Sequence, residues 1–146
     1  MSLNVEELKQ YPIISSQKVA WGDMDAFGHV NNVMYYRYME SARIDYLQRL
    51  GVLNGQVNTV VASSSCKYIK PVFYPDRLSI GSRIVEVRNS AFRMEYALYS
   101  HEQNSIVATG EAVMVCVDNK TAQKANMTAQ LRQNIIELEK TVGNLF

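Results

Sequence analysis

One segment of the chain, from Asn32 to Leu50, has the periodicity of a long amphipathic helix. Its apolar positions recur at spacings of four and three residues, and they are Tyr35, Met39, Ala42, Tyr46 and Leu50. The opposite side carries the polar residues Arg37, Ser41, Asp45 and Gln48. A helix of about five turns spans on the order of 28 Å. Gly51 is suited to end it, because glycine adopts the left-handed conformation common just past a helix.

After Gly51 the pattern changes to that of strands. Four segments are rich in Val, Ile, Tyr, Thr and Ser and are separated by turn residues: Val57 to Ile69, Arg77 to Val87, Phe92 to Ser100 and Ile106 to Val117. Gln17 to Trp21 is predicted as a short first strand, and Met127 to Lys140 as a closing helix with Thr128 as its N-cap. Strands joined by short turns favour antiparallel pairing, and one helix would cover one face of the sheet. The sequence predicts an α+β fold, a long helix wrapped by a curved sheet, in a single domain of residues 1–146.

Composition narrows the functional classes. The chain has 146 residues and a formal net charge of +1, so nothing in the balance favours nucleic acid or an anionic membrane as a partner. Cys66 and Cys116 lie far apart in sequence within predicted strands, which argues against a disulfide framework or a metal site. No window approaches the ~20 apolar residues of a spanning helix. We expect a soluble cytoplasmic protein with no metal and no cofactor.

The stretch DMDAFGHVNN, residues 23–32, precedes the predicted helix and allows three chemical interpretations. An EF-hand calcium loop fails, because Phe27 occupies its fifth place and Met34 the twelfth, where a bidentate Glu is needed. A phosphoryl-transfer aspartate pair would need a later acidic cluster, and none stands out. The third interpretation is acyl transfer: the first N–H groups of a helix stabilise negative charge on a bound oxygen, and a nearby carboxylate can face the carbonyl. Gly28 permits close approach of a ligand, and Asn31 is the N-cap candidate.

The segment GDMDAFGHVNNVMYYRYMESAR resembles the signature of hotdog-fold acyl-CoA thioesterases of the 4-hydroxybenzoyl-CoA thioesterase type. The later stretch YIKPVFYPDRLSIGSRI is similar to the second and third strands of that family, so the resemblance extends over nearly the whole chain. It implies a hotdog fold, in which a five-stranded antiparallel sheet wraps around one long helix. It also implies a homodimer or homotetramer with active sites at the subunit interface.

The resemblance also implies roles for individual residues. Asp25 takes the position of the catalytic carboxylate, and Asn32 takes the position whose backbone N–H polarises the thioester carbonyl. Asp23 falls on the less critical first acid of the motif, as a structural partner of neighbouring donors. His29 departs from the founding enzyme, which leaves its role open. The substrate-binding candidates are Gly28, His29, Tyr35, Ser64 and Ser65, with one serine expected to line the site of the partner subunit.

Coenzyme A carries phosphates, which surface cations near the mouth of the site are expected to bind. The candidates lie in loops where relatives bind the nucleotide end, and they are Arg88, Ser90, Lys120 and Lys124. Cys66 and Cys116 are interpreted as packing residues, because neither has a visible base beside it.

The leading hypothesis is hydrolysis of an acyl-CoA to a carboxylic acid and free CoA, with Asp25 as nucleophile or as the base that activates water. The alternatives are an acyl-acyl carrier protein thioesterase and a catalytically silent acyl-CoA binding module. A hotdog dehydratase is also conceivable, although such enzymes usually place a catalytic histidine in a differently spaced motif. Acyl chain length is not readable from the sequence, because pocket depth depends on side chains of two subunits.

Overall fold

The computed structural model describes residues 5–51 and 57–146, and its central element is the helix α1, Asn32–Leu50. The five apolar residues predicted for its core face are all buried, together with Tyr38 and Leu47. Asn31 caps the helix by accepting a hydrogen bond from Val33 N–H. Gly51 ends it at a φ of 75°, in the left-handed region that favours glycine. The predicted helix and both of its end signals are therefore confirmed.

Five strands form one antiparallel sheet against α1. They are β1 (Ile13–Lys18), β2 (Val57–Tyr68), β3 (Arg77–Val87), β4 (Ala91–Ser100) and β5 (Ser105–Asp118). Their order across the sheet is β1-β3-β4-β5-β2, so β2 pairs with β5, and no other described strand pairs with its second edge. This is the predicted hotdog arrangement.

The first strand lies earlier in the chain than the sequence predicts. The prediction placed it at Gln17 to Trp21, whereas the strand runs from Ile13 to Lys18 and is followed by a short 3-10 helix, Trp21–Asp23. The error has a physical reason, because Ser15 occupies an inward-facing position. Its hydroxyl donates to Asp45 of α1 at 2.6 Å, so a polar residue interrupts the apolar alternation that marks a strand. The other predicted boundaries agree with the observed ones to within two residues, and those of β3 agree fully.

A second helix, α2 (Ala129–Lys140), begins at Thr128, whose side chain accepts from Leu131 N–H as predicted. Glu139 near its end is fully buried. Its carboxylate accepts hydrogen bonds from the Tyr46 hydroxyl of α1 and from Ile84 N–H of β3. One side chain thus ties α2 to both the central helix and the sheet.

The two ends of the sheet can be distinguished by the residues that meet there. At one end, which we call the Tyr68 end, lie Lys18, Arg77, Ser100, Ser105 and Tyr68. At the other, the Asp118 end, Val57 pairs with Asp118 and Val87 pairs with Phe92. The eleven residues of β3 separate the two ends by about 34 Å.

Candidate active site

The segment between β1 and α1 forms a closed turn around Gly28. Asp25 N–H donates to the His29 carbonyl at 2.8 Å, and Met24 and Val30 form an isolated β-bridge. Gly28 completes the turn at a φ of 89°, a conformation that residues with a side chain rarely adopt. The turn is therefore compact, and it brings the side chains of Asp25 and His29 together.

The Asp25 carboxylate accepts two backbone hydrogen bonds and faces one ring nitrogen. Its Oδ1 lies 2.8 Å from Phe27 N and 3.4 Å from His29 N, and its Oδ2 lies 3.2 Å from His29 Nδ1. Burial raises the pKa of this carboxyl, but the two amides and the His29 ring outweigh burial and lower the pKa overall. The side chain is 20% exposed. Asp25 is thus an anion at neutral pH that a small molecule can reach.

His29 is held by aromatic neighbours as well as by Asp25. Its ring centroid lies 6.5 Å from that of Phe27, which is stacked on it, and 6.3 Å from that of Phe73, which meets it edge-on. Both phenylalanines are exposed. The imidazole therefore has a defined orientation at the surface of the molecule, and its Nδ1 side points toward the carboxylate.

Asp23 is bonded inside the fold. Its Oδ2 accepts from Ala20 N–H at 3.0 Å and from the Tyr38 hydroxyl of α1 at 2.6 Å. Burial and the Asp23 contact both raise the pKa of Tyr38, so this hydroxyl remains a donor. Asp23 thus fastens the turn to the central helix, the structural position that the resemblance implies for it.

The first N–H groups of α1 are not equivalent. Val33 N–H donates to Asn31 Oδ1 at 3.0 Å, and Met34 N–H donates to the Asn31 carbonyl at 2.9 Å. Asn32 N–H has no hydrogen-bond partner within residues 5–51 and 57–146. A helix start carries a partial positive charge, so this N–H is suited to bind a negatively polarised oxygen.

A cavity of about 200 Å³ opens beside the helix start. It is lined by His29, Val30, Asn32, Tyr35, Tyr68, Ile69, Lys70 and Pro71. Asp25 is not a lining residue, but His29, whose ring faces the Asp25 carboxylate, is one. Tyr35, predicted to touch substrate, lines the wall, and its hydroxyl also accepts from Val72 N–H at 3.3 Å. Sequence reasoning missed Tyr68, because the end of a strand gives no sign of which helix terminus it will meet.

The sequence profile of the thioesterase-like superfamily matches residues 19–135. The chain belongs to this superfamily. The match spans the turn, both termini of α1 and the strands β2 to β5, so the chain is a thioester hydrolase of the hotdog fold.

Individual proteins, two of them named as thioesterases, are similar to this chain over most of their length. A solved thioesterase from Thermus thermophilus, in complex with coenzyme A and Zn, is 32% identical with a TM-score of 0.80, over 90% of this chain and 97% of that one. The long-chain acyl-CoA thioesterase FadM of Escherichia coli K12 is 24% identical over 127 residues, which are 84% of this chain and 96% of FadM. The uncharacterised protein YsmA of Bacillus subtilis 168 is 29% identical over 86% of each chain.

The residues predicted to bind CoA lie at the Asp118 end of this thioesterase, about 34 Å from the end where α1 begins. Lys120 and Lys124 are exposed in the loop after β5. Arg88 is paired with Glu86 at 2.5 Å. Ser90 is buried, and its hydroxyl donates to Asn126, so it anchors the loop from inside rather than presenting a donor at the surface. Within one protomer these residues do not meet the Asp25 turn.

The two predicted serines of β2 lie on opposite faces of the sheet. Cys66 packs against the core and the Tyr68 ring contacts Tyr35, so alternation places Ser64 on the helix side. Ser64 is four residues from Tyr68, or about 13 Å along the strand. Ser65 lies on the outer face, in a cavity of about 440 Å³ that it shares with charged residues of the sheet, including Lys67, Arg83, Glu95 and Glu111.

This outer cavity is larger than the one at the helix start, but an ion-pair network occupies its surroundings. Arg83 pairs with Glu95 at 2.8 Å, and Arg93 pairs with Glu111 at 2.6 Å. The smaller cavity is instead lined by the helix start at Asn32 and by His29, the ring paired with Asp25. The part of the chain that the structure describes contains no group of three or more His, Cys, Asp or Glu side chains placed to hold a metal ion. It also contains no helix long and apolar enough to cross a membrane.

Proposed function

We propose that this protein hydrolyses acyl-CoA thioesters, with Asp25 as the reacting carboxylate and Asn32 N–H as the oxyanion donor. One observation carries the proposal: Asn32, whose N–H has no partner among the described residues, lines the same cavity as His29, the ring paired with Asp25. The carrier is supported by the Thermus thioesterase in complex with coenzyme A and by the acyl-CoA thioesterase FadM.

The thioester carbonyl oxygen would lie against Asn32 N–H, with its carbon facing the carboxylate. If Asp25 is the nucleophile, its oxygen bonds to the carbonyl carbon, the C–S bond breaks and the sulfur leaves as CoA thiolate. Water then hydrolyses the anhydride. If Asp25 is the base, it takes a proton from water as the water oxygen bonds to carbon, and collapse of the intermediate expels the same thiolate. In both routes one well-placed donor stabilises the oxyanion by about 3 kcal/mol.

His29 has the same part in both routes. Its Nδ1 contact and the two backbone amides fix the carboxylate oxygens, so that Asp25 does not have to reorganise during the reaction. The exposed Phe27 and Phe73 rings beside it add apolar surface next to the reacting groups.

We further propose that the working unit is at least a homodimer, in which two β2 strands pair edge to edge. The open β2 edge is twelve residues long and exposes Val60 and Val61, which is the kind of edge that proteins usually cover. Antiparallel pairing about a two-fold axis would set the Tyr68 end of one protomer against the Asp118 end of its partner. The partner's Lys120 and Lys124 would then approach the mouth of the site, which no single protomer achieves.

The proposal is tested by a hydrolysis panel with the purified protein, in which the released thiol is followed spectrophotometrically. Short, medium, long and aromatic acyl-CoAs are compared with the matching acyl-acyl carrier protein and with oxygen esters. We expect turnover of at least one acyl-CoA class, with the carrier protein and the oxygen esters far slower. Faster turnover of the acyl carrier protein substrate would reassign the carrier, and no thioester turnover at all would refute the function.

A further inference from the structure

Tyr68, at the end of the open β2 edge, makes a hydrogen bond whose position at the start of α1 suggests a role in the reaction. Its hydroxyl donates to the Asn32 carbonyl at 2.9 Å. The ring is held by an edge-on contact with Tyr35, with centroids 4.8 Å apart. Tyr68 also lines the cavity at the helix start, so one side chain forms part of the cavity wall and contacts the backbone beside the proposed donor.

The bond matters because of which peptide it holds. The peptide between Asn32 and Val33 is fixed at both ends: its carbonyl accepts from Tyr68, and its N–H donates to Asn31 Oδ1. The preceding peptide, which carries Asn32 N–H, is fixed at its carbonyl by Met34 N–H. One residue earlier, Asn31 N–H donates to the Asp23 carbonyl at 2.9 Å. Hydrogen bonds therefore hold the peptides on both sides of the free N–H.

Most of these restraints are local, since they join residues within the turn or the first turn of α1. Tyr68 is different, because it reaches this backbone from the sheet, 36 residues away in sequence. A hydrogen bond from a rigid strand fixes the helix start relative to the wall of the cavity, which bonds within the helix cannot do. Burial and the nearby Cys66 and Tyr36 raise the pKa of Tyr68 to about 12, so the hydroxyl keeps its proton under ordinary assay conditions.

We propose that Tyr68 is a positioning residue for thioester hydrolysis: its hydroxyl holds the Asn32 carbonyl, and this contact keeps the neighbouring Asn32 N–H pointed at the oxyanion. This rests on the function proposed above. Donors aimed in advance at developing charge lower the barrier without reorganising during the reaction. Loss of the hydroxyl would let the donor move away from its best direction without removing it. The effect belongs to the transition state and therefore to kcat.

The test is Tyr68→Phe, which keeps the ring and its contact with Tyr35. Tyr99→Phe is the matched control, because it also removes one tyrosine hydroxyl, but on the face of the sheet away from α1. We expect Tyr68→Phe to lower kcat about 3- to 10-fold, the loss that corresponds to one ordinary hydrogen bond, with KM within twofold of the parent. Affinity for an S-alkyl-CoA thioether, which lacks the carbonyl, should be unchanged. Tyr99→Phe should alter neither kinetic constant.

A second readout does not depend on turnover. The backbone ¹⁵N–¹H resonances of Asn32 and Val33 should shift in Tyr68→Phe and stay in place in Tyr99→Phe. If the parent hydrolyses no thioester, the proposed function fails, while these resonances still report whether Tyr68 holds the helix start.

Three results would overturn the positioning role. One is an unchanged kcat with unmoved amide resonances. Another is a rise in KM alone, which would make Tyr68 a binding wall. The third is a Tyr68→Phe protein that does not fold, which would assign the hydroxyl to the fold and not to the reaction.

Discussion

Replacing Asp25 by asparagine removes the negative charge while leaving the turn intact. Asparagine Oδ1 can accept the same hydrogen bonds from Phe27 and His29 N–H that the carboxylate accepts at 2.8 and 3.4 Å. Its amide can donate to His29 Nδ1, where the carboxylate oxygen now lies at 3.2 Å. Since every contact of the side chain has a replacement, the variant should fold and bind CoA like the parent. Only the ability to attack carbon or accept a proton is lost.

The expected cost in turnover is large because Asp23, the other carboxylate of the motif, does not replace Asp25. The Asp23 carboxylate accepts hydrogen bonds from Ala20 N–H and from the Tyr38 hydroxyl, so it cannot take over the role of Asp25. General-base assistance alone is typically worth 10²- to 10⁴-fold, and we expect kcat of Asp25→Asn to fall by about that factor. The assay is thiol release with the best substrate of the panel, with circular dichroism as the check on folding. Glu137→Gln, an exposed carboxylate on α2, is the matched control and should keep full activity. Turnover of Asp25→Asn within a few-fold of the parent would refute the assignment.

Three further predictions concern pH, the carrier and stability. Because the folded pKa of Asp25 lies below its ordinary value, activity should be retained at pH 5 and lost only as the pH falls below about 4. A decline centred between pH 6 and 7 would contradict the assignment to Asp25. Lys120→Ala and Lys124→Ala should each raise KM for acyl-CoA with little change in kcat. The rise in KM should be smaller with a truncated pantetheine thioester, which lacks the nucleotide phosphates. An equal rise in KM on both substrates would show that the lysine does not contact those phosphates. Tyr46→Phe removes the hydroxyl that donates to the buried Glu139 carboxylate, and it should destabilise the fold by about 1–3 kcal/mol. The thermal midpoint should fall by roughly 3–10 °C. An unchanged midpoint would show that this hydrogen bond contributes nothing to stability.

The elements that sequence predicts best here are those whose signals are local. The periodicity of α1, its cap at Asn31 and its glycine stop all lie within one continuous segment, and all are observed as predicted. The first strand failed because Ser15 bonds to Asp45, which is 30 residues away. A local alternation pattern does not show that a polar side chain faces the core and bonds to a partner distant in sequence. The strand order, which places β2 beside β5, is likewise a property of distant pairing.

The candidate site divides in the same way. A motif places Asp25, Gly28 and Asn32 close together, because they lie within eight residues and one turn. The contribution of Tyr68 depends on the docking of a sheet edge on a helix start, which no spacing in the sequence records. The CoA candidates are a further case. Within one protomer the length of the strands separates them from Asp25. They could contact a substrate bound at Asp25 only if a second chain brings them there.

The buried carboxylate of Glu139 has a consequence for the order in which the protein is made. Tyr46 and Ile84 precede Glu139, which accepts their hydrogen bonds, by 93 and 55 residues. Both are therefore synthesised long before their partner. Until translation reaches Glu139, the contact region of the central helix and β3 contains a hydroxyl and an amide that cannot be buried without cost. A chain that ends before Glu139 therefore closes its core less favourably than the full chain does. Chains released by ribosomes that stall before this codon should be cut by proteases faster than the full chain.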